Sequence, residues 1–184
     1  MDLYRLGIKF FGVASQPIEP MEFIPIFHEW IQKQTIENHL LIDVHNYSHV
    51  HDGPGILLVA HEGNFSMERA DDRLGLLYYR KQPVQMFTEI IKPAVQGCRL
   101  LEDDSRLRGR LRFRNDEVLI VANDRLVAPN NDETFSTLET RVSAALNQVL
   151  GKSFKLSPIS DDPKERLIIR AQTREAATEN NPER

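Results

Sequence analysis

Five of the six histidines of this chain fall between positions 39 and 61: His39, His45, His49, His51 and His61. Neutral imidazole is the commonest nitrogen ligand for zinc, copper, nickel or iron, and a loop carrying His45, His49, His51 and Asp52 has the donor types to hold one such cation. The spacing matches no defined metal motif. Strand-like runs flank the loop, Leu40 to His45 on one side and Gly55 to Glu62 on the other. If they pair as a hairpin, His45 and His61 lie about six residues apart along the ladder, or about 20 Å. The histidines then divide into two groups: His45, His49, His51 and Asp52 at the loop end, and His39, His61 and Glu62 at the other. The second group also offers a general base beside an orienting carboxylate. Against both stands ordinary turn chemistry in Asp52-Gly53-Pro54-Gly55 and the habit of turn histidines of being solvated.

Other chemistry-bearing residues have weaker contexts. Asp43 lies inside an apolar run, where a carboxylate is either paired in the interior or turned to water on one strand face. Gly53-Pro54-Gly55 is followed by a strand and lacks the Lys-Ser/Thr pair of a nucleotide loop. Cys98 falls on a helical apolar stripe with no base beside it, as a small buried hydrophobe would. Arg108, Arg110, Arg112 and Arg114 concentrate positive charge, with Arg110, Arg112 and Arg114 on one face of an expected strand. Such a stripe suits an acidic partner or a phosphate backbone. Yet Glu102, Asp103, Asp104, Asp116 and Glu117 flank it, which favours a solvated face or a protein-interaction edge over nucleic acid.

The elements that must position these residues follow from apolar periodicity. A strand is expected over Tyr4 to Val13, then a helix whose stripe is Phe23, Phe27, Trp30 and Ile31. Three strands follow, Leu40 to His45, Gly55 to Glu62 and Leu74 to Arg80. A second helix runs from Val84 to Leu101, with Pro93 expected to kink or split it. Arg110 to Arg114 and Val118 to Val121 read as a hairpin about Asn115-Asp116. A third helix carries Phe135, Leu138, Val142, Ala145, Leu146 and Val149, capped by Asn131 or Asp132 and ended by Gly151. Short strands are expected at Phe154 to Leu156 and Leu167 to Ala171. The fold class is α+β: one mixed, largely antiparallel sheet of about six or seven strands with three helices packed on it. Residues 1–171 form one domain, and 172–184 are expected to be a disordered tail.

Phe27-His28-Glu29-Trp30-Ile31-Gln32, Leu41-Ile42-Asp43-Val44, Tyr47-Ser48-His49-Val50, Gly53-Pro54-Gly55 and His61-Glu62 together resemble a family of short bacterial proteins, over roughly Leu6 to Leu150. The family has no assigned activity, so the resemblance implies a bacterial cytosolic protein and transfers no functional residue.

With 23 Lys+Arg against 27 Asp+Glu, the net charge of −4 excludes neither a protein nor a small-molecule partner. The single cysteine cannot form an internal disulfide, and no run approaches the ~18 apolar residues of a membrane-spanning helix, so a cytoplasmic location is expected. No catalytic constellation is complete. The leading expectation is a non-enzymatic accessory or protein-interaction domain with no cofactor. The alternative is a metal-binding protein or metal-dependent enzyme using a transition metal at the histidines; phosphate or nucleic-acid binding through the arginines ranks third.

Overall fold

The computed structural model describes residues 3–70 and 72–173. Strand β1 (Leu6–Ala14) is followed by helix α1 (Phe23–Lys33) and then by four strands: β2 (Leu41–Tyr47), β3 (Gly55–Ala60), β4 (Gly63–Ala70) and β5 (Arg73–Arg80). Helix α2 (Thr88–Asp103), strand β6 (Leu111–Ala122), helix α3 (Asp132–Leu150) and strands β7 (Phe154–Pro158) and β8 (Leu167–Thr173) complete the order. The strands form one eight-stranded sheet in the order β2-β3-β4-β5-β1-β6-β8-β7. Every neighbouring pair is antiparallel. The fold is the expected α+β arrangement, its sheet antiparallel throughout and, among the described residues, of eight strands, slightly more than the six or seven expected. Among the described residues, no helix is long and apolar enough to cross a membrane.

Two local expectations are corrected. Gly63–Ala70 is a strand, β4, although its outward residues Asn64, Ser66 and Glu68 are polar and break the apolar pattern. Residues 110–121 are not a hairpin, because β6 is a single strand that pairs with β1 along its length. The turn chemistry of Asn115-Asp116 is used in a bulge instead. Phe10 faces Val118 and Gly12 faces Phe113, so the four residues Arg114 to Glu117 stand opposite Phe11 alone. Pro93 lies inside α2, which continues through it as one helix. Strand β8 runs to Thr173, past the expected domain boundary. The disordered tail expected beyond it lies outside the described residues.

All three helices lie against one face of the sheet. α1 buries Phe23, Ile26, Phe27 and Trp30. α2 buries Ile90, Ile91, Ala94, Cys98 and Leu101, and α3 buries Leu138, Val142, Ala145 and Leu146. They meet the strand residues of one parity, including Leu6, Ile8, Ile56, Leu58, Phe65, Leu76 and Ile120, each at most 1% exposed. Cys98 is part of this core, where burial raises its thiol pKa well above the ordinary value. α3 begins and ends as its sequence predicts: the Asn131 side chain accepts from the Thr134 amide at 2.8 Å, and Gly151 closes the helix in the left-handed conformation.

Gly55 opens β3 at φ +61°, and a Cβ there would stand 2.0 Å from the Met67 carbonyl oxygen. Gly151 has a similar φ of +67° but nothing within 4 Å of a Cβ position. Gly151→Ala therefore meets only the backbone preference, about 1 kcal/mol, whereas Gly55→Ala adds a clash with fixed backbone and should cost about 2–3 kcal/mol. Urea unfolding of the two variants should rank them in that order.

Candidate interaction face

The histidine hairpin forms in the expected register, with Leu41 opposite Ala60 and His45 opposite Leu57. At the open end, away from the turn, the His61 amide donates to the Leu40 carbonyl at 2.9 Å and the Leu40 amide donates to Glu62 at 2.8 Å, so His39, His61 and Glu62 are neighbours. Their side chains divide the work differently from a ligand set. His39 is only 9% exposed and both ring nitrogens are engaged, Nδ1 with the Glu37 carbonyl at 2.8 Å and Nε2 with the Tyr78 hydroxyl at 2.7 Å. A carbonyl only accepts, so the proton is assigned to Nδ1, and Nε2 accepts from Tyr78. Burial pushes His39 below the usual imidazole range and pushes Tyr78 up to about 12, which keeps the ring neutral and the hydroxyl protonated. The pair is a clasp joining the approach to β2 to the centre of β5.

At the loop end, His45 is 3.5 Å from Asp43, and His51 is 2.9 Å from Asp52 with its side chain 95% exposed. His49 is exposed, and so is Asp43, which takes the solvent side of its strand. Among the described residues, no three His, Cys, Asp or Glu side chains converge as a metal-holding group. A cleft of about 900 Å³ lies beside the clasp, lined among others by His39, Glu62, Arg80, Glu89, Lys92 and Arg99. Arg80 is paired with Glu89 at 3.6 Å.

The arginines are divided in the same way. Arg106 bonds Asp104 and Glu29, and Arg110, which precedes β6, bonds Glu22. Arg114 bonds Asp116 at 2.7 Å. Arg108 and Arg112 are exposed. Of the expected row, Arg110 and Arg114 are drawn into separate ion pairs while Arg112 is exposed.

The least ordinary surface is the sheet face that carries no helix. β1 turns Leu6, Ile8 and Phe10 toward the helices, which leaves Gly7, Lys9 and Phe11 on the opposite face. Lys9 is nevertheless only 5% exposed. Its stem lies across Gly75, where a Cβ would be 2.6 Å from Lys9 Cε, and its ammonium donates to Glu68 at 2.9 Å. The Arg73 guanidinium stacks 3.4 Å above the Phe11 ring centroid and donates two hydrogen bonds to Glu117, at 3.1 and 2.7 Å. Glu117, with 6% of its side chain exposed, also lies 3.8 Å from Arg114 and 3.6 Å from Arg170. The β6 bulge makes this possible, since it brings Arg114 and Glu117 together opposite Phe11.

Beside this ionic lattice the cross-strand registers define two rows. One runs Leu57, Ser66, Leu77, Lys9, Leu119, Arg170 across six strands. The next runs Val59, Asn64, Tyr79, Gly7, Val121, Ile168. Leu57, Val59, Leu77, Tyr79, Leu119 and Ile168 are half-buried there, on the parity opposite the one that meets the described helices. Asn64 Oδ1, in the same patch, is buried without a hydrogen-bond partner among the described residues. None of Phe11, Glu68, Arg73, Glu117 or Arg170 stands out in the sequence. The available signal was Lys9 itself, a lysine within an otherwise apolar central strand.

Two outcomes test this geometry. Glu117→Gln leaves Arg73 and its neighbours short of a carboxylate and should cost about 1–3 kcal/mol in urea unfolding, while Arg170→Gln, at the more exposed rim, should cost less than about 1 kcal/mol. The clasp predicts a pH slope. Because folded His39 resists protonation, the unfolded chain takes up the proton first as pH falls below the ordinary 6.5, so stability is full above that value and declines beneath it. The loss in urea midpoint between about pH 7.5 and 5.5 should be smaller in His39→Gln than in the wild type.

Compared with known proteins, the chain matches no family model, no curated protein and no solved structure, so its function has to be argued from this face and its chemistry.

Proposed function

We propose that this chain is a non-enzymatic protein-interaction domain whose working surface is the helix-free face of the sheet. One observation carries the reading: Leu57, Val59, Leu77, Tyr79, Leu119 and Ile168, interspersed with Ser66, Asn64, Lys9 and Gly7, concentrate apolar side chains on a face that a solvated antiparallel sheet would furnish mostly with polar ones. Charges bordering the patch are already paired within the chain, so a partner can cover it without leaving Lys9 or Glu117 uncompensated. The carboxylate partners of Arg106, Arg110 and Arg114 argue in the same direction, since they weaken any claim of the arginines on a phosphate backbone. A cytoplasmic setting belongs to the proposal, supported by a lone cysteine held as an inert core residue.

The test compares binding by the wild type, by Leu57→Arg/Leu119→Arg on the patch, and by Leu126→Arg at a site already 96% exposed. Proteins captured by the wild type and by the Leu126 control should be recovered at least about tenfold less by the patch variant, a loss of about 1.4 kcal/mol or more. Recovery that ignores the patch substitutions would sink the proposal.

A further inference from the structure

We infer that the occupant of the helix-free face is a second copy of this chain, so that two sheets pack face to face in a twofold dimer. The inference rests on the interaction reading above and names its partner.

Size is the first argument. Eight strands spaced about 4.8 Å apart, each contributing about six residues at about 3.3 Å, make a face of roughly 35 by 20 Å. That is about 700 Å² in projection, and side-chain relief adds to it. A standard interface buries about 800 Å² on each partner, so this face is the right size to be covered by its own equal.

Charge is the second. A surface built for a partner of opposite sign carries an excess of one charge, whereas this one carries Lys9, Arg73, Arg114 and Arg170 against Glu68, Glu117 and Asp116, paired among themselves. Two copies therefore meet without strong repulsion, and neither has to supply counter-charge to the other. The remaining contact is apolar on both sides of the buried Lys9–Glu68 pair and ionic toward the Phe11 end of the strands.

Geometry is the third. The centre of the strand order falls between β5 and β1, where Leu77 is opposite Lys9 and Tyr79 is opposite Gly7. Apolar members of the two rows lie on both sides of that line, Leu57 and Val59 in β3 and Leu119 and Ile168 in β6 and β8. A patch distributed about the middle of a sheet suits an isologous contact, in which each residue meets the symmetric surface of its twin. Sheets stacked about 10 Å apart at about −30° interleave side chains of this size. The buried Asn64 Oδ1, an acceptor without a donor in the single chain, is then within the contact zone of a copy that brings amide donors of its own.

Sedimentation equilibrium of the full chain from about 1 to 100 µM tests this. The expected mass rises toward twice the 21.2 kDa of the chain. Leu57→Arg/Leu119→Arg should raise the dimer dissociation constant at least about tenfold, and Leu126→Arg should leave it unchanged. Hydroxyl-radical footprinting of the wild type across the same range requires no variant to fold: oxidation of Leu77, Tyr79 and Leu119 should fall as concentration rises, while Met86 and Leu126 stay constant. A single-chain mass throughout, or a dimer whose footprint leaves the patch open, overturns the inference. If the purified chain is monomeric while capture of other proteins still depends on Leu57 and Leu119, only the identity of the partner is wrong. Capture independent of both removes the interaction reading as well.

Discussion

An antiparallel sheet has two faces, and a chain with three helices laid on one of them must make the other compatible with water or with a partner. Most of what is unusual here follows from that constraint. The central strand, β1, is buried on both parities from Leu6 to Phe11, yet only one parity is covered by helices. On the uncovered side, burial comes from neighbouring strands: the Lys9 stem lies over Gly75, Tyr79 over Gly7, and Arg73 over Phe11. Glycine at positions 7 and 75 is what lets these longer side chains lie flat. The face thereby acquires a charged lattice held within about one side-chain thickness of the backbone.

Burying those charges is not a route to stability by itself. Desolvation of Lys9 and Glu117 opposes their mutual attractions with Glu68 and Arg73, and hydrophobic replacements of matching volume often serve as well or better. The stability of the fold rests on the other side, where the apolar faces of α1, α2 and α3 close over Leu58, Phe65, Leu76 and Ile120. The clasp between His39 and Tyr78 belongs to that side too, satisfying two polar groups in the interior where an unpaired one would be costly.

The helical half of this architecture was legible in the sequence because helix faces announce themselves by spacing. Phe23, Phe27 and Trp30, or Leu138, Val142 and Ala145, need no tertiary information to be read as one stripe. The His45 hairpin was legible for a similar reason, since Asp52 to Gly55 is strong turn chemistry between two runs of strand length. The same local logic misread 110–121, where Asn115-Asp116 has the composition of a hairpin turn but a long pairing with β1 turns it into a bulge. It also passed over β4, whose polar residues look like loop until the register shows them on the helix-free face. The lattice itself was out of reach. Glu68, Arg73 and Glu117 are ordinary surface types in sequence, and only the strand order, with β5 and β6 on either side of β1, brings them to Phe11 and Lys9.

Strand edges bear on which surface of this fold is available for association. β2 is the outer strand on one side, and Ile42 is an extra residue that shifts its register between Leu41 and Asp43. β7, on the other side, is short, carries exposed Lys155 and ends at Pro158. A bulge, a lysine and a proline are the devices by which sheets discourage edge-to-edge pairing. With both edges blunted and one face covered by helices, association through the sheet is left to the remaining face. For the proposed interaction the ionic lattice would limit what can bind: a partner that offered unpaired charge would have to compete with contacts already made at 2.7 to 2.9 Å. In the interaction proposed above, an apolar surface with its charges already satisfied would disfavour a strongly charged partner relative to a neutral, shape-matched one, so the lattice would act on specificity more than on affinity.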